Sequence, residues 1–329
     1  MKFRNSSLLI VAAFICMMLA VVSLQMGQVC ISLTALFEIL SGGDHAYRSI
    51  VLFARLPRTL ACLLSGAALA LSGAVLQRVL SNKLASPGII GVNAGAGFGV
   101  SICCALGLLS GWSVSVGAFL GSLLAVGAIT LLAYCTGASR TTVILSGVAL
   151  NSIFHALTEA VSVLVPDVTL MNMDFRVGGF SSVSYEQLLP AACLIVIASV
   201  IVLSLHDRLD VLSLGDDTAA GLGLKVKRCR FFFLLLAAVL AGAAVSFSGL
   251  LGFVGLIIPH LSQKLMKKES QYHLPMSALC GAALVTLCDT LARLLFLPYE
   301  LPVGLMLSLI GGPVFIGLLF RHRGGSRYA

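Results

Sequence analysis

Charged side chains are scarce in this 329-residue sequence, where Asp, Glu, Lys and Arg make up 10% of the residues. Soluble domains contain about 25% charged residues. Hydrophobic residues make up 59% of the chain, which excludes a soluble protein because so apolar a surface could not stay in water. In lipid, every backbone polar group has to be bonded within its own segment, so helices are the default spanning element. The sequence therefore predicts an all-α, polytopic membrane protein with a single transmembrane domain over residues 1–329.

Several chemical motifs are missing as well. No G-x-x-x-x-G-K-[ST] phosphate-binding loop occurs, so an ATP-driven step would need an ATPase on another chain. The ten cysteines include no CxxC pair and no Cys/His cluster at metal-ligand spacing, and no catalytic constellation is recognisable. We therefore expect a translocation subunit rather than an enzyme, with no catalytic residue, no metal site and no cofactor.

Long apolar runs, in contrast, are plentiful. Ten segments approach the length of about 20 residues that crosses a bilayer as a helix. They are 6–26, 57–79, 89–109, 113–135, 142–165, 188–205, 231–250, 252–267, 274–296 and 304–320. Only residues 249–252 separate the seventh segment from the eighth, which is short and contains Pro259.

The basic residues indicate the topology of these segments. A net charge of +8 would suggest a nucleic-acid partner in a soluble protein, but here the placement of the charges follows the positive-inside rule. With ten spans and an inner N-terminus, sixteen of the 21 Lys and Arg residues lie on the inner side: Lys2, Arg4, Arg78, Lys83, Arg140, Arg208, Lys225, Lys227, Arg228, Arg230, Lys264, Lys267, Lys268, Arg321, Arg323 and Arg327. We expect a bacterial cytoplasmic-membrane protein with both termini in the cytoplasm, the lipid bilayer around it and no nucleic-acid partner.

Two stretches of small residues resemble each other. Residues 65–76, in the second segment, are similar to residues 241–252, in the seventh. The copies are offset by five spans, an odd number, so half-repeats of about 1–165 and 188–320 would have opposite topology, an arrangement that recurs in transporters. The alternative is chance, because Gly, Ala and Ser suit any close helix crossing.

Nine short blocks form a recognisable series along the chain: 55–58, 66–77, 82–91, 147–151, 214–223, 252–260, 289–293, 300–304 and 311–315. Together they resemble the FecCD family, the permease subunits of ABC importers for ferric siderophores, haem and cobalamin, with a likeness to the cobalamin permease. Lys83 departs from the family pattern, which usually has Pro after Asn82, and Gln263-Lys264 stand where an Arg is common. These departures concern local loop geometry.

The resemblance implies a ten-helix subunit that pairs with a second copy or a close homologue. It also implies two cytoplasmic ATPase subunits and an extracytoplasmic substrate-binding protein. The cargo would be an iron chelate, either siderophore or haem, or cobalamin. Specificity in such systems lies largely in the binding protein, so the sequence leaves the cargo open.

The first candidate site consists of arginines that lie on the predicted outer side, where the positive-inside rule predicts few basic residues. Arg55, Arg58 and Arg293 lie near the outer ends of spans two and nine, and the resemblance implies that they face acidic residues of the binding protein. The planar guanidinium group binds carboxylates bidentately, and opposite charge speeds encounter. The alternative is that these side chains snorkel to the outer interface. Asp289, four residues before Arg293, either orients it or forms a structural polar pair with it at the helix end.

The second candidate site lies in the long inner loop 206–230, where residues 214–223 read as a short helix with glycine breaks. The resemblance implies that this is the coupling region that fits a groove on the ATPase. The residues concerned are Leu214, Gly215, Asp216, Ala219, Gly221, Leu222 and Gly223. Without the resemblance, a solvated connector between spans is the favoured interpretation of the pattern.

The third candidate site is a polar stripe on span five. Asn151, His155 and Glu159 are each four residues apart and share one helix face. Ionisable residues inside a membrane are costly, so their presence suggests function, and related permeases use this span in the pathway wall. For His155 alone, hydrogen-bonded packing is the simpler interpretation.

A secondary transporter driven by protons or sodium is the alternative function, because inverted repeats are typical there too. Such a carrier is expected to hold several carboxylates at mid-membrane. Here only Glu159 and Asp289 qualify, which favours the ATP-driven importer.

Overall fold

The computed structural model describes residues 2–266 and 270–323, and within these ranges it has fifteen α-helices, a π-helical turn at Ile50–Arg55 and no strand. The first eight helices are α1 (Lys2–Gln25), α2 (Leu33–Leu40), α3 (Leu56–Val79), α4 (Val92–Ala105), α5 (Gly111–Thr136), α6 (Arg140–Leu164), α7 (Asp167–Met171) and α8 (Met173–Val177). The other seven are α9 (Tyr185–Ser204), α10 (His206–Ser213), α11 (Asp216–Gly221), α12 (Val226–Ser248), α13 (Val254–Met266), α14 (Ser270–Leu294) and α15 (Val303–Arg323). The all-α prediction is confirmed.

Each of the ten predicted segments coincides with one helix. Seven helices in the described part of the chain are long and apolar enough to cross a membrane, namely α1, α3, α5, α6, α9, α12 and α14. Helices α4 and α13 have 14 and 13 residues, so each is only about 20 Å long against a hydrocarbon core of about 30 Å. The apolar part of α15 is also short, at Val303–Gly317. The protein is a multi-pass membrane protein, and a count of ten crossings depends on these three helices.

The break between α12 and α13 lies where the sequence predicts it. Gly249 has φ +66°, a left-handed conformation that glycine adopts without strain. A side chain there would also meet the Phe175 carbonyl oxygen. The Leu250 amide donates to that same oxygen at 2.9 Å, and the Gly179 amide donates to the Ser248 oxygen at 2.9 Å. The end of α12 is therefore joined by backbone hydrogen bonds to the segment after α8.

Helices α3 and α12 form the centre of the bundle. In each of them 78% of the most apolar stretch is buried, whereas the value is 17% for α1 and α6. The hydroxyl group of Ser72 in α3 donates to the Ala237 carbonyl of α12 at 2.7 Å. Helix α3 also packs against α13 and α14. The two central helices are thus shielded from lipid on most sides, while α1 and α6 lie at the periphery.

Glycines bring several of these helices into backbone contact. In α3, a Cβ atom at Gly73 would collide with the Gly255 carbonyl oxygen of α13. In α4 and α5, Gly95 and Gly121 approach each other in the same way. Lipid tails provide no hydrophobic drive for helix association, so close van der Waals packing of this kind holds membrane helices together.

We expect the substitution Gly73→Ala to destabilise the bundle, because the added methyl group has no room against the Gly255 carbonyl. Overpacking costs about 1–3 kcal/mol, which a lower thermal unfolding temperature of the detergent-solubilised protein would report. Gly127→Ala in α5 is the matched control, since nothing lies within 4 Å of its Cβ position. Equal unfolding temperatures for the two variants would contradict the close α3–α13 contact.

Candidate functional site

A buried carboxylate organises one end of the bundle. Asp289 of α14 is fully buried between two guanidinium groups, with the Arg58 Nη2 atom 3.0 Å and the Arg293 Nε atom 3.1 Å from its oxygens. Arg58 also bonds Glu300, with 2.7 Å between Nη1 and Oε2. The predicted contact between Asp289 and Arg293 is present, and its role in orienting Arg293 for docking stays a prediction. We call Arg55, Arg58, Asp289, Arg293 and Glu300 the Asp289 cluster.

Two arginines of this cluster cap the end of α1. Arg55 Nη1 donates to the carbonyl oxygens of Leu24 and Gln25, both at 2.8 Å. Arg293 Nη2 donates to the Ser23 hydroxyl at 2.8 Å and to its carbonyl at 3.2 Å. The last carbonyls of a helix lack intrahelical partners, and cations are favourable there. The two arginines thus satisfy the C-terminal end of α1 from outside the helix.

The three arginines predicted to dock a binding protein therefore differ in position. Arg55 and Arg293 are buried, at 7% and 4% exposure, and bond within the chain. The Arg58 side chain is 12% exposed and reaches Glu300, which is 34% exposed. Of the three, Arg58 is closest to the surface, and docking stays a prediction for the set.

A cavity of about 420 Å³ opens beside Arg58 and Glu300. Its other lining residues include Asp174, Phe180, Gln187 and Ser248. Polar groups and an aromatic ring thus meet at this end of the bundle, where a ligand or protein segment could contact both members of the Arg58–Glu300 pair. Among the described residues, no group of three His, Cys, Asp or Glu side chains is arranged to hold a metal ion.

A second ionic cluster lies at the opposite end of α3, α6 and α12. Both oxygens of Asp216, the first residue of α11, are bonded: Oδ1 to Arg140 Nη2 at 2.8 Å and Oδ2 to Arg230 Nη2 at 2.5 Å. Partial burial would raise the pKa of the Asp216 carboxyl, but the hydrogen bonds and charges of Arg230 and Arg140 together hold it below its ordinary value. The carboxylate is therefore charged at neutral pH. We call these three residues the Asp216 cluster.

The residues predicted to couple to an ATPase fall on and beside α11. Ala219 is fully buried and faces the bundle, whereas Leu214 and Leu222 are 61% and 64% exposed. The remaining members of the predicted set surround them: Gly215, Asp216, Gly221 and Gly223. The exposed part of the segment combines two leucines and glycine backbone with the polar side chains of Asp217 and Thr218, and its role in coupling stays a prediction.

Helix α10 has an anchor of its own. Asp210 forms an ion pair with Arg78 at the end of α3. Arg78 Nη2 lies 3.3 Å from His273 Nδ1 in α14, and His273 Nε2 donates to the Pro259 carbonyl oxygen of α13 at 3.0 Å. This chain of contacts connects α10 to three helices of the core.

The three polar residues of the stripe on α6 differ in their surroundings. The Asn151 amide nitrogen donates to the Gly88 and Ile89 carbonyl oxygens, at 2.9 and 3.1 Å, and so holds the turn before α4. His155 and Glu159 are exposed on α6. The role of all three residues in a pathway stays a prediction.

Sequence reasoning missed five ionic residues that complete these clusters: Arg78, Arg140, Asp210, Arg230 and Glu300. Arg140 and Arg230 immediately precede predicted spans, and Glu300 begins a recognised block. Their positions beside a span or in a recognised block could have marked these three residues as candidates. The partners themselves are distant in sequence, so spacing along the chain did not reveal them.

We expect Asp289→Asn to be strongly destabilising, because it leaves two buried guanidinium groups without their shared countercharge. Breaking a buried ion pair costs about 3–5 kcal/mol, which thermal unfolding of the detergent-solubilised protein would report. Glu300→Gln removes the more exposed partner of the same arginine and should cost no more than about 1 kcal/mol. Similar losses for the two variants would show that burial of Asp289 does not matter.

Comparison with known proteins agrees with the recognised blocks. The family model described as "FecCD transport family" matches residues 15–321. The hemin transport system permease protein HmuU of Yersinia pestis is 36% identical over 311 residues, covering 93% of this chain and 92% of that protein. The ferric enterobactin transport system permease protein FepD of Escherichia coli is 37% identical over 313 residues, covering 92% of each chain.

A solved structure has a similar fold over nearly the whole chain. It is described as a metal-chelate type ABC transporter in an inward-facing conformation, with a TM-score of 0.86, 32% identity and coverage of 96% of this chain and 99% of that chain. Permeases of this family work with a separate ATPase, a substrate-binding protein and a paired permease, and they are transport subunits rather than enzymes. The chain therefore belongs to the FecCD transport family, as a membrane-spanning permease subunit of an ABC importer.

Proposed function

We propose that this permease imports an iron chelate, either a siderophore complex or haem, or else cobalamin, in an ATP-driven transporter. Relatives named for hemin, ferric enterobactin and Fe(3+)-citrate each align with more than nine-tenths of the chain. The observation that carries the proposal is that a helix on the bundle's periphery presents polar side chains within an apolar span. That feature suits passage of a polar cargo.

The helix concerned is α6, and it suggests how two copies pair. His155 and Glu159 are exposed on it, and an ionisable group facing acyl chains would be costly. A second copy of the chain, with a water-filled path between the two α6 helices, removes that cost. We therefore place His155 and Glu159 in the pathway wall, with Asn151 holding the helix in place behind them.

The crossing pattern supports ten spans with an inverted repeat. In both halves a long, deeply buried helix is followed by a short one: α3 by α4, and α12 by α13. Short or interrupted apolar segments at matching positions are typical of inverted-repeat transporters. The basic residues then place both termini inside. Of these residues, Lys267, Lys268 and Arg327 lie outside the described ranges.

This orientation assigns the two ionic clusters to opposite partners. The Asp216 cluster and the exposed leucines of the 214–223 segment face the cytoplasm, where two ATPase subunits would bind, one on each permease copy. The Asp289 cluster faces outward, towards the binding protein. Arg58 would contact that protein directly, while Arg55 and Arg293 would fix the outer end of α1 by capping it.

Transport by the reconstituted complex tests the proposed function. Permease, ATPase and binding protein in lipid vesicles should take up ferric siderophore, haem or cobalamin only when ATP reaches the ATPase side. Uptake of each of the three cargoes, and of ferric citrate as a fourth, is compared at equal concentration. The compound that is taken up fastest identifies the substrate class. Uptake that follows a proton or sodium gradient without ATP would instead support the secondary transporter.

Glu300→Gln tests docking at the Asp289 cluster. The substitution frees one side of Arg58 and leaves its bonds to Asp289 intact, so an incoming carboxylate no longer competes with Glu300. We expect association with the binding protein to be about threefold faster at low ionic strength, with a smaller gain in high salt because exposed charges are screened. Surface plasmon resonance on nanodisc-embedded permease would measure both rates.

Glu38→Gln supplies the matched control for this experiment. It makes the same change of charge on α2, at an exposed position outside the cluster. If both variants accelerate association equally, the effect is one of overall charge, and docking does not use Arg58.

A further inference from the structure

The two short cytoplasmic helices are fixed to different parts of the bundle. Helix α10 is held by the ion pair of Asp210 with Arg78, at the end of the central helix α3. Helix α11 is held by Asp216, which bonds Arg140 of α6 and Arg230 of α12. The anchor of α10 belongs to the core, whereas α11 is held both by the central helix α12 and by α6, the peripheral helix that carries His155 and Glu159.

Gly215 separates the two helices and suits a pivot. Its φ and ψ angles are +113° and +158°, a backbone region that is essentially restricted to glycine. Nothing lies within 4 Å of its Cβ position, so no neighbour blocks a change of angle there. A push on α11 can thus turn it relative to α10 without carrying the core-anchored helix along.

The contact between α11 and α6 is at the very start of α6. Arg140 is the first residue of that helix, and the Ser139 hydroxyl caps it by accepting from the Thr142 amide at 3.2 Å. Arg140 Nη2 also donates to the Leu212 carbonyl oxygen of α10 at 2.9 Å. His155 lies fifteen residues further along, which is about 22 Å on a helix with a rise of 1.5 Å per residue. A displacement at Arg140 therefore acts on the rigid element that bears the exposed histidine.

Asp216 takes two arginines through separate oxygens. The side chain is 46% exposed, while those of Arg140 and Arg230 are 16% and 10% exposed. Arg230 Nη1 also lies 3.4 Å from the Ala138 carbonyl, in the turn between α5 and α6. One carboxylate consequently fixes α11 to both α6 and α12. Removing it leaves the two largely buried guanidinium groups facing each other.

We propose that Asp216 is the positioning residue through which movement of α11 reaches α6 and the pathway. This inference rests on the proposed function, in which α11 docks on the ATPase and α6 lines the path. The same ion pairs act in both directions, so a movement of α6 also displaces α11 and the ATPase bound to it. Loss of the carboxylate lowers the amount of cargo moved per ATP hydrolysed.

Asp216→Asn in the full transporter, with its ATPase and binding protein in vesicles, tests the proposal. We expect the amount of cargo moved per ATP hydrolysed to fall about fivefold or more. Ferric siderophore, haem, cobalamin and ferric citrate serve as the cargo probes. Asp217→Asn is the matched control, because it makes the same change on the next residue of α11, which is exposed and has no ion pair among the described residues. Asp217→Asn should keep the wild-type ratio.

A double-mutant cycle separates positioning from general damage. Arg140→Gln alone should lower the same ratio, and the loss in the double variant Asp216→Asn/Arg140→Gln should be smaller than the sum of the two single losses, because the Asp216–Arg140 interaction is absent from both single variants. Asp216→Glu should restore much of the ratio. Should Asp216→Asn impair folding, Arg140→Lys keeps the charge but loses the forked geometry, and it should still uncouple.

A further variant distinguishes the role of Asp216 from the proposed coupling role of the 214–223 segment as a whole. Gly221→Trp places a bulky side chain on α11 where no neighbour within the chain lies within 4 Å. If it uncouples the transporter while Asp216→Asn and Arg140→Lys do not, the coupling site stands and the role of Asp216 is wrong. If Gly221→Trp and Asp216→Asn both leave the ratio unchanged, the proposed coupling site itself is wrong. Fully additive losses in the double variant also overturn the inference.

Discussion

Charge has to be neutralised wherever water is excluded, and this constraint determines where each kind of contact lies in the bundle. The ion pairs of the described residues occur at the ends of the helices, in the Asp289 and Asp216 clusters and the Arg78–Asp210 pair. Between these ends, the helices meet through glycine backbone and single hydroxyl groups, as at Gly73 and Ser72. The middle of the protein is therefore held by packing, and its ends are held by charge.

This division bears on transport. Packing at van der Waals distance is short-ranged and permits few arrangements, so the central α3–α12 pair is suited to act as a fixed frame. Ion pairs at partly exposed ends can be exchanged for others at small cost. A machine that must respond to proteins on both faces benefits from that arrangement, because partners can act on the exchangeable contacts without disturbing the frame.

Much of this architecture is predictable from the sequence, because apolar runs and helix periodicity are local properties. All ten segments have a helix, and the i,i+4 spacing of Asp289 and Arg293 correctly predicts their contact. The short length of α4 is not predictable in this way, since the residues that flank it in the predicted segment 89–109 are themselves mostly apolar, whereas the eighth segment, α13, is already short in the sequence. The ion-pair partners are not predictable either: Arg58 and Asp289 are 231 residues apart, and Arg140 and Asp216 are 76 apart. Asn151 shares a face with His155, yet its amide is held by backbone carbonyls that only the fold brings there.

The caps on α1 have a consequence for how the chain is made. Helix α1 packs mainly on α14, and Arg293 comes from the end of that helix. During synthesis, α1 must therefore wait in the bilayer until Arg293, 270 residues after Ser23, has left the ribosome. Helix α1 thus reaches its final contacts only after the helices between it and α14 have been made.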